Sequence, residues 1–172
     1  NYGEIDTLIN SGTISAGNHA IHNTGTITTI TNTGTIESTG SGYSIKNEGI
    51  ITNLTNSKGA SGSTLTYTGT VPTNYNIIIN SASDFGKIAF TSITGSLNFN
   101  VDSESELAGG TTYSSIMTGI SSGSISGQSG SHLNTSTGDR FEWSLENGGD
   151  ATTWNLVTDC LLYTSPSPRD RS

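Results

Sequence analysis

The chain has 172 residues, of which only 12% are charged and 30% hydrophobic, with 14 acidic groups against six basic ones and a formal net charge of −8. So few Lys and Arg cannot line a phosphate-tracking surface, which excludes nucleic acid as a partner. A single Cys excludes a disulfide framework, and no apolar run is long enough to cross a bilayer as a helix.

Low hydrophobicity and low charge together often leave a chain unable to offset its ordering entropy. Here the apolar residues are mostly Ile, Leu and Val, and they recur at regular spacing. From the first residues onward one phrase repeats: "LINSGTIS" (Leu8–Ser15), "IHNTGTIT" (Ile21–Thr28), "ITNTGTIE" (Ile30–Glu37) and "IKNEGIIT" (Ile45–Thr52), with a fading copy, "LTNSKGAS" (Leu54–Ser61). The Asn of each phrase falls at 10, 23, 32, 47 and 56, so successive gaps are 13, 9, 15 and 9. Taken in pairs the gaps give 22 to 24 residues, a period typical of solenoids whose units bury their apolar faces only by stacking.

Thr, Ile, Asn and Gly are poor helix formers and no 3.6-residue stripe is present, so helical repeats are set aside. Thr and Ile are β-branched and suit a pleated surface. Each phrase reads as strand, corner, strand, with a bend between Ile27 and Ile30 and the Asn-x-Gly at the corner. Gly is expected there for positive φ, and Asn for its tolerance of left-handed backbone and its local hydrogen bonds. Stacked coils would place equivalent Ile residues in inward ladders and Asn residues in a hydrogen-bonded ladder. A parallel β-helix fits this period, whereas a propeller blade would need about forty residues and hairpin pairing.

Residues 1–62 are therefore assigned to parallel β-helix repeats. From Ser63 the phrase stops and longer alternating runs follow, "TLTYTGTV", "YNIIIN", "KIAFTSI" and "SLNFNV", then "TYSSIMTGI", "GSISG", "RFEWSLE" and "TTWNLV". Turn residues separate them. Phe141, Trp143 and Trp154 are placed to close an open apolar end, which a solenoid must cover because a terminal rung offers free backbone groups. Residues 63–159 are assigned to a β-rich capping segment.

The phrases "INSGTIS", "IHNTGTIT" and "ITNTGTIE" resemble the repeats of bacterial autotransporter passengers, the exported segments of type V secretion proteins. "LTYTGTVPTNYNIIINSASDFGKIAF", with the later "TTYSSIMTGISSGSISG" and "WSLENGGDATTWNLV", is similar to the segment that precedes the membrane barrel in such proteins. The resemblance covers most of residues 5–159. It implies a right-handed β-helix, secreted to the cell surface through a C-terminal outer-membrane β-barrel that would be its partner, with host or surface glycans or proteins as further partners of an adhesin. Residues 160–172 depart abruptly from the preceding composition. Within them "CLLYTSPSPRD" (Cys160–Asp170) resembles a translated sequencing adapter and is expected to carry no fold. With no Met at position 1, the chain reads as an interior piece of a longer protein.

Few side chains suggest chemistry. His19 and His22, three apart, would face one metal on a helix but opposite sides of a strand. Asp102, Glu104 and Glu106 would share one face of a strand, yet lack the encircling loop that calcium needs. Arg140, in "GDRFE", is expected in a surface ion pair. A polysaccharide-binding or polysaccharide-cleaving β-helix, pectate-lyase-like or tailspike-like, is the alternative function. It would need paired carboxylates across a groove or a base beside cationic support. Lys46, Lys58, Lys87 and Arg140 are scattered, and Tyr43 is nearly alone as a sugar platform in the repeat. No catalytic, cofactor-binding or metal residue is assigned, and the segment is expected to have no enzymatic activity and no cofactor.

Overall fold

The computed structural model describes residues 1–159; the adapter-like stretch lies outside the described residues. The chain winds into a parallel β-solenoid of about four turns, the fold class expected from the repeat. Its first coil holds β1 (Glu4–Asn10), β2 (Thr13–Ala16) and β3 (Ile21–Asn23), and its second holds β4 (Thr26–Asn32), β5 (Thr35–Ser38) and β6 (Ile45–Asn47). The third holds β7 (Ile50–Asn56) and β8 (Leu65–Thr70). Then come β9 (Asn74–Ile77), the short pair β10 (Ile79–Ser81) and β11 (Asp84–Phe85), and β12 (Ile88–Thr94). β13 (Leu97–Val101) and β14 (Thr112–Thr118) lead to β15 (Ile125–Ser126), β16 (Ser129–Leu133), β17 (Arg140–Asn147) and β18 (Trp154–Thr158).

Two sheets run the length of the column. A six-stranded sheet in the order β1-β4-β7-β9-β13-β15 is parallel throughout. An eight-stranded sheet runs β3-β6-β8-β12-β14-β18-β17-β16, parallel as far as β14 and antiparallel beyond it. The parallel β2-β5 pair forms a short third side. Parallel pairing thus continues well past Ser63, although the Asn-x-Gly phrase does not.

The register stacks like on like: Ile5 on Ile27 on Ile51, Leu8 on Ile30 on Leu54, Ile14 on Ile36, Ile21 on Ile45. Ile27 and Ile30 are both fully buried although they are three apart. Side chains on a straight strand alternate sides, so two inward residues at this spacing require the strand to turn between them. The Cα register passes over Thr28 at that point.

Asn-x-Gly makes two of the corners of the first two coils, Asn10 to Gly12 with Asn32 to Gly34, and Asn23 to Gly25 with Asn47 to Gly49. The Asn side chains point inward and form two ladders instead of one. Asn10 Nδ2 donates to Asn32 Oδ1 at 2.9 Å and Asn32 Nδ2 to Asn56 Oδ1 at 3.0 Å. At the other corner Asn1 Nδ2 donates to Asn23 Oδ1 and Asn23 Nδ2 to Asn47 Oδ1, both at 2.9 Å. Asn23 Nδ2 also meets the Gly25 carbonyl at 3.0 Å and the Ile50 carbonyl of the next coil at 3.1 Å. The amide therefore satisfies corner carbonyls that would otherwise be buried without partners.

The corner glycines serve a different purpose from the one expected. Gly25, Gly34 and Gly49 do not have positive φ. Each lies instead against the backbone of the coil beneath it, and a Cβ on Gly34 or Gly49 would overlap the carbonyl oxygen of Gly12 or Gly25. The same carbonyls accept the amides of Thr35 and Ile50 at 2.8 and 2.9 Å. Strand spacing at the corner leaves no room for a side chain, so Gly is required by close backbone approach.

Toward the C-terminal end the inward residues become aromatic. Leu54 is followed by Tyr75 and Phe99, and Ile45 by Tyr67 and Phe90. Phe99 meets Trp143 edge-on at 5.5 Å, where β16, β17 and β18 fold over the last coil. Trp154 donates its indole N–H to the Ile120 carbonyl at 2.8 Å. Phe141, Trp143 and Trp154 are all buried, as expected of residues covering an apolar end.

Two outcomes follow for stability. Ile27→Asp and Ile36→Asp should each cost on the order of 4 kcal/mol or more and abolish cooperative urea unfolding, whereas the exposed His22→Ala should change it by less than about 1 kcal/mol. Equal effects of the three would contradict the inward ladder. Gly34→Ala should cost roughly 1–3 kcal/mol through overpacking. Gly12→Ala, at the same corner of the first coil with nothing within 4 Å, should be nearly silent in the same titration.

Candidate functional site

The His19–His22 region gathers ionisable and aromatic side chains from two successive coils. His19 lies in the loop before β3 and His22 points outward from that strand. Their rings are 5.9 Å apart and tilted at 60°. His19 stacks on Tyr43, one coil on, at 6.0 Å and 10°, and its Nδ1 accepts the Tyr43 amide N–H at 3.1 Å. His22 Nε2 is 2.6 Å from Glu48 Oε2, and Lys46 Nζ is 3.1 Å from Glu48 Oε1. The hydrogen bonds from His22 and then Lys46 hold the Glu48 carboxyl below its ordinary range. The two His are thus tied to different partners and do not converge on a common ligand.

The acidic run is not the strand face expected from its alternation. β13 ends at Val101, and Asp102–Glu106 leave the strand in a turn that stays pinned to the column, the Asp102 and Glu106 amides donating to the Ile77 and Ile79 carbonyls, each at 2.8 Å. Asp102 Oδ1 accepts the Glu104 amide at 3.0 Å, a local turn that competes with an extended backbone. Glu106 accepts hydrogen bonds from the Ser136 hydroxyl at 2.6 Å and the Ser136 amide at 3.2 Å, which lower its pKa. Ser105 between them is buried and its carbonyl lies 2.6 Å from His132 Nε2. Asn134 clamps Leu107 through both its amide and its carbonyl, at 2.8 and 2.9 Å. These residues fasten the turn to the cap.

Arg140 reaches Ser131 Oγ across β16 and β17 at 3.3 Å, a hydroxyl where a carboxylate partner was expected. Lys87 sits 5.6 Å over the Phe85 ring. Asp150 accepts bonds from the Thr152 amide and hydroxyl and from the Thr153 hydroxyl, and its pKa is lowered by them. Burial raises the Tyr67, Tyr75 and Tyr113 hydroxyls above their ordinary value. The Tyr75 hydroxyl, buried beside Asn56, has no hydrogen-bond partner among the described residues. Among the described residues no group of three or more His, Cys, Asp or Glu is placed to hold a metal ion, and the described surface has no pocket.

Beyond these groups, the outer face of the six-stranded sheet repeats a polar pair about each buried side chain: Thr29-Ile30-Thr31, Asn53-Leu54-Thr55, Asn74-Tyr75-Asn76 and Asn98-Phe99-Asn100. The register superposes them in two columns. Asn74 Nδ2 donates to Asn53 Oδ1 at 2.9 Å, Asn98 Nδ2 to Asn74 Oδ1 at 3.4 Å, and Asn76 Nδ2 to Thr55 Oγ1 at 3.2 Å. Attention to inward residues alone misses this feature. Its signal in the sequence is polar, aliphatic or aromatic, polar, at the coil period.

Comparison with known proteins found no matching family model, no matching curated protein and no matching solved structure.

Glu48, Glu106 and Asp150 all have folded pKa values below their ordinary ones. Such groups bind fewer protons folded than unfolded as pH falls, so their contribution is complete above the ordinary carboxylate range and is lost as pH drops through the lowered values. The urea midpoint should be flat from neutral pH to about pH 5 and fall below about pH 4. Glu106→Gln should make that acid limb shallower; an unchanged limb would remove Glu106 from the account.

Proposed function

We propose that this chain is part of a bacterial autotransporter passenger, exported across the outer membrane and displayed at the cell surface as a rigid stalk. The reading is supported by one arrangement above others: parallel coils, stapled by internal Asn ladders, end in an aromatic antiparallel cap. Each coil contacts mainly its neighbours, so folding propagates one coil at a time from whichever end forms first. The cap, with long-range pairing but a large aromatic core, supplies such an end, and the ladders then template successive coils. The job is mechanical, and the segment acts as a structural part of an adhesin with no catalysis of its own. An outer-membrane β-barrel is its export partner, and surface glycans or proteins are the targets of the whole molecule.

The test is export itself. Placed ahead of a transport-competent outer-membrane barrel, residues 1–159 should reach the cell surface and become sensitive to added protease in intact cells. Replacing Trp143 and Trp154 by Ala should lower the displayed amount several-fold. Retention of the unaltered segment in the periplasm would sink the passenger reading, and release of product from acidic polysaccharides would replace it with an enzymatic one.

A further inference from the structure

The outer columns of the six-stranded sheet are ordered beyond what a solvated face needs. Neighbouring strands of a parallel sheet lie about 4.8 Å apart and residues i and i+2 about 6.6 Å apart, so the polar side chains stand on a regular two-dimensional mesh. Five of the eight are tied by the bonds running Asn98 to Asn74 to Asn53, with Asn76 held on Thr55, while Thr29, Thr31 and Asn100 make no such side-chain bond among the described residues. Thr55, 8% exposed, is sunk below the rest; the others along these columns are half-buried and reach the surface. From Thr29 to Asn100 neither column contains a charged residue, although the chain carries 20 of them. The mesh is neutral, periodic and in part immobilised.

Several classes of ligand do not fit it. The described surface has no pocket, so a small molecule would not be enclosed. The two columns cover roughly 14 Å by 7 Å over the four strands β4, β7, β9 and β13, on the order of 100 Å², against about 800 Å² per partner in a stable protein interface, and on β1 the exposed Ile9 takes the place in register with Thr31. They also lack the buried apolar or aromatic core on which protein partners anchor. The aromatics of these strands, Tyr75 and Phe99, point inward and offer no platform to a sugar ring. A lattice, by contrast, gains from every repeat of a matching mesh. Water is such a lattice when frozen, with oxygens on the prism face of ice at spacings close to those of the columns. Bridging waters cost least entropy where the groups they bridge are already immobile.

We infer that the outer face of the six-stranded sheet binds ice, through ordered water held by its Thr hydroxyls and Asn amides. The inference rests on the columns alone and is independent of export.

The experiment uses the full chain and ice itself. The protein should suppress recrystallisation in a frozen sucrose film and shape a growing single crystal. Asn74→Lys, which puts a charge and a longer side chain in the mesh, should require at least tenfold more protein for the same suppression. Thr29→Val and Asn98→Asp, which keep side-chain shape, should also weaken it while far-UV circular dichroism and the thermal midpoint hold. Thr91→Lys, on the exposed outer side of β12, should leave it unchanged. Ice grains that coarsen as fast as in a buffer control, or suppression equal in all four variants, would overturn the inference. So would binding to insoluble cellulose or chitin, or dimer formation in sedimentation, if Asn74→Lys abolished it.

Discussion

Everything in this molecule depends on one coil lying directly on the next at strand spacing. That spacing is set by backbone hydrogen bonds between parallel strands and leaves no freedom at the corners, where the chain must turn without lifting away from its neighbour. Asn-x-Gly solves both halves of the problem. The Gly Cα rests over a carbonyl of the coil beneath it, and the Asn amide is turned inward to bind corner carbonyls of its own coil and the next. Because the Asn also bonds its counterpart, each ladder lengthens by one member per coil, and a fully buried polar side chain becomes a repeating staple. The inward Ile ladders add the apolar burial, and the polar ladders fix the register that aligns them.

The device is confined to the first three coils. Asn47 stacks on Gly69 and Asn56 on Ile77, so both ladders stop in the third coil. Their last amides turn to main-chain carbonyls, Asn47 to Thr70 and Asn56 to Lys58, both at 2.8 Å. Beyond them Tyr67, Tyr75, Phe90 and Phe99 fill the interior by size, with Tyr67 keeping its hydroxyl bonded to the Thr70 carbonyl at 2.6 Å. The switch from amides to rings prepares the chain for an antiparallel lid of Trp143, Leu145, Trp154 and Leu156, all buried.

A column of this kind separates its tasks by surface. The interior gives stiffness; the ends decide whether further strands can add; the outer faces are free to differ. The His19–Tyr43, His22–Glu48 and Glu106–Ser136 contacts are each local ties between successive turns of chain. The Thr and Asn columns of the six-stranded sheet carry an outer order across four successive strands, β4, β7, β9 and β13. They share with the interior the property that a contact made once is made again at every coil.

The repeat alone determined the fold class, because an aliphatic ladder at a 22–24 residue period has no other way to bury itself than by stacking parallel strands. It also placed the corners and the bend between Ile27 and Ile30. The two separate Asn ladders were implicit in the paired period, but which Asn meets which is a matter of register, and register belongs to the packed coils. The role of Gly25, Gly34 and Gly49 was decided by tertiary structure, since close approach to another coil leaves no mark on local sequence and mimics a demand for positive φ. The acidic run shows the opposite failure: its alternation suited a strand, but Asp102 and Glu106 found nearer partners in Glu104 and Ser136. Side chains that serve the interior announce themselves by periodicity. Those that serve a surface acquire their meaning only when strands distant in sequence bring them side by side.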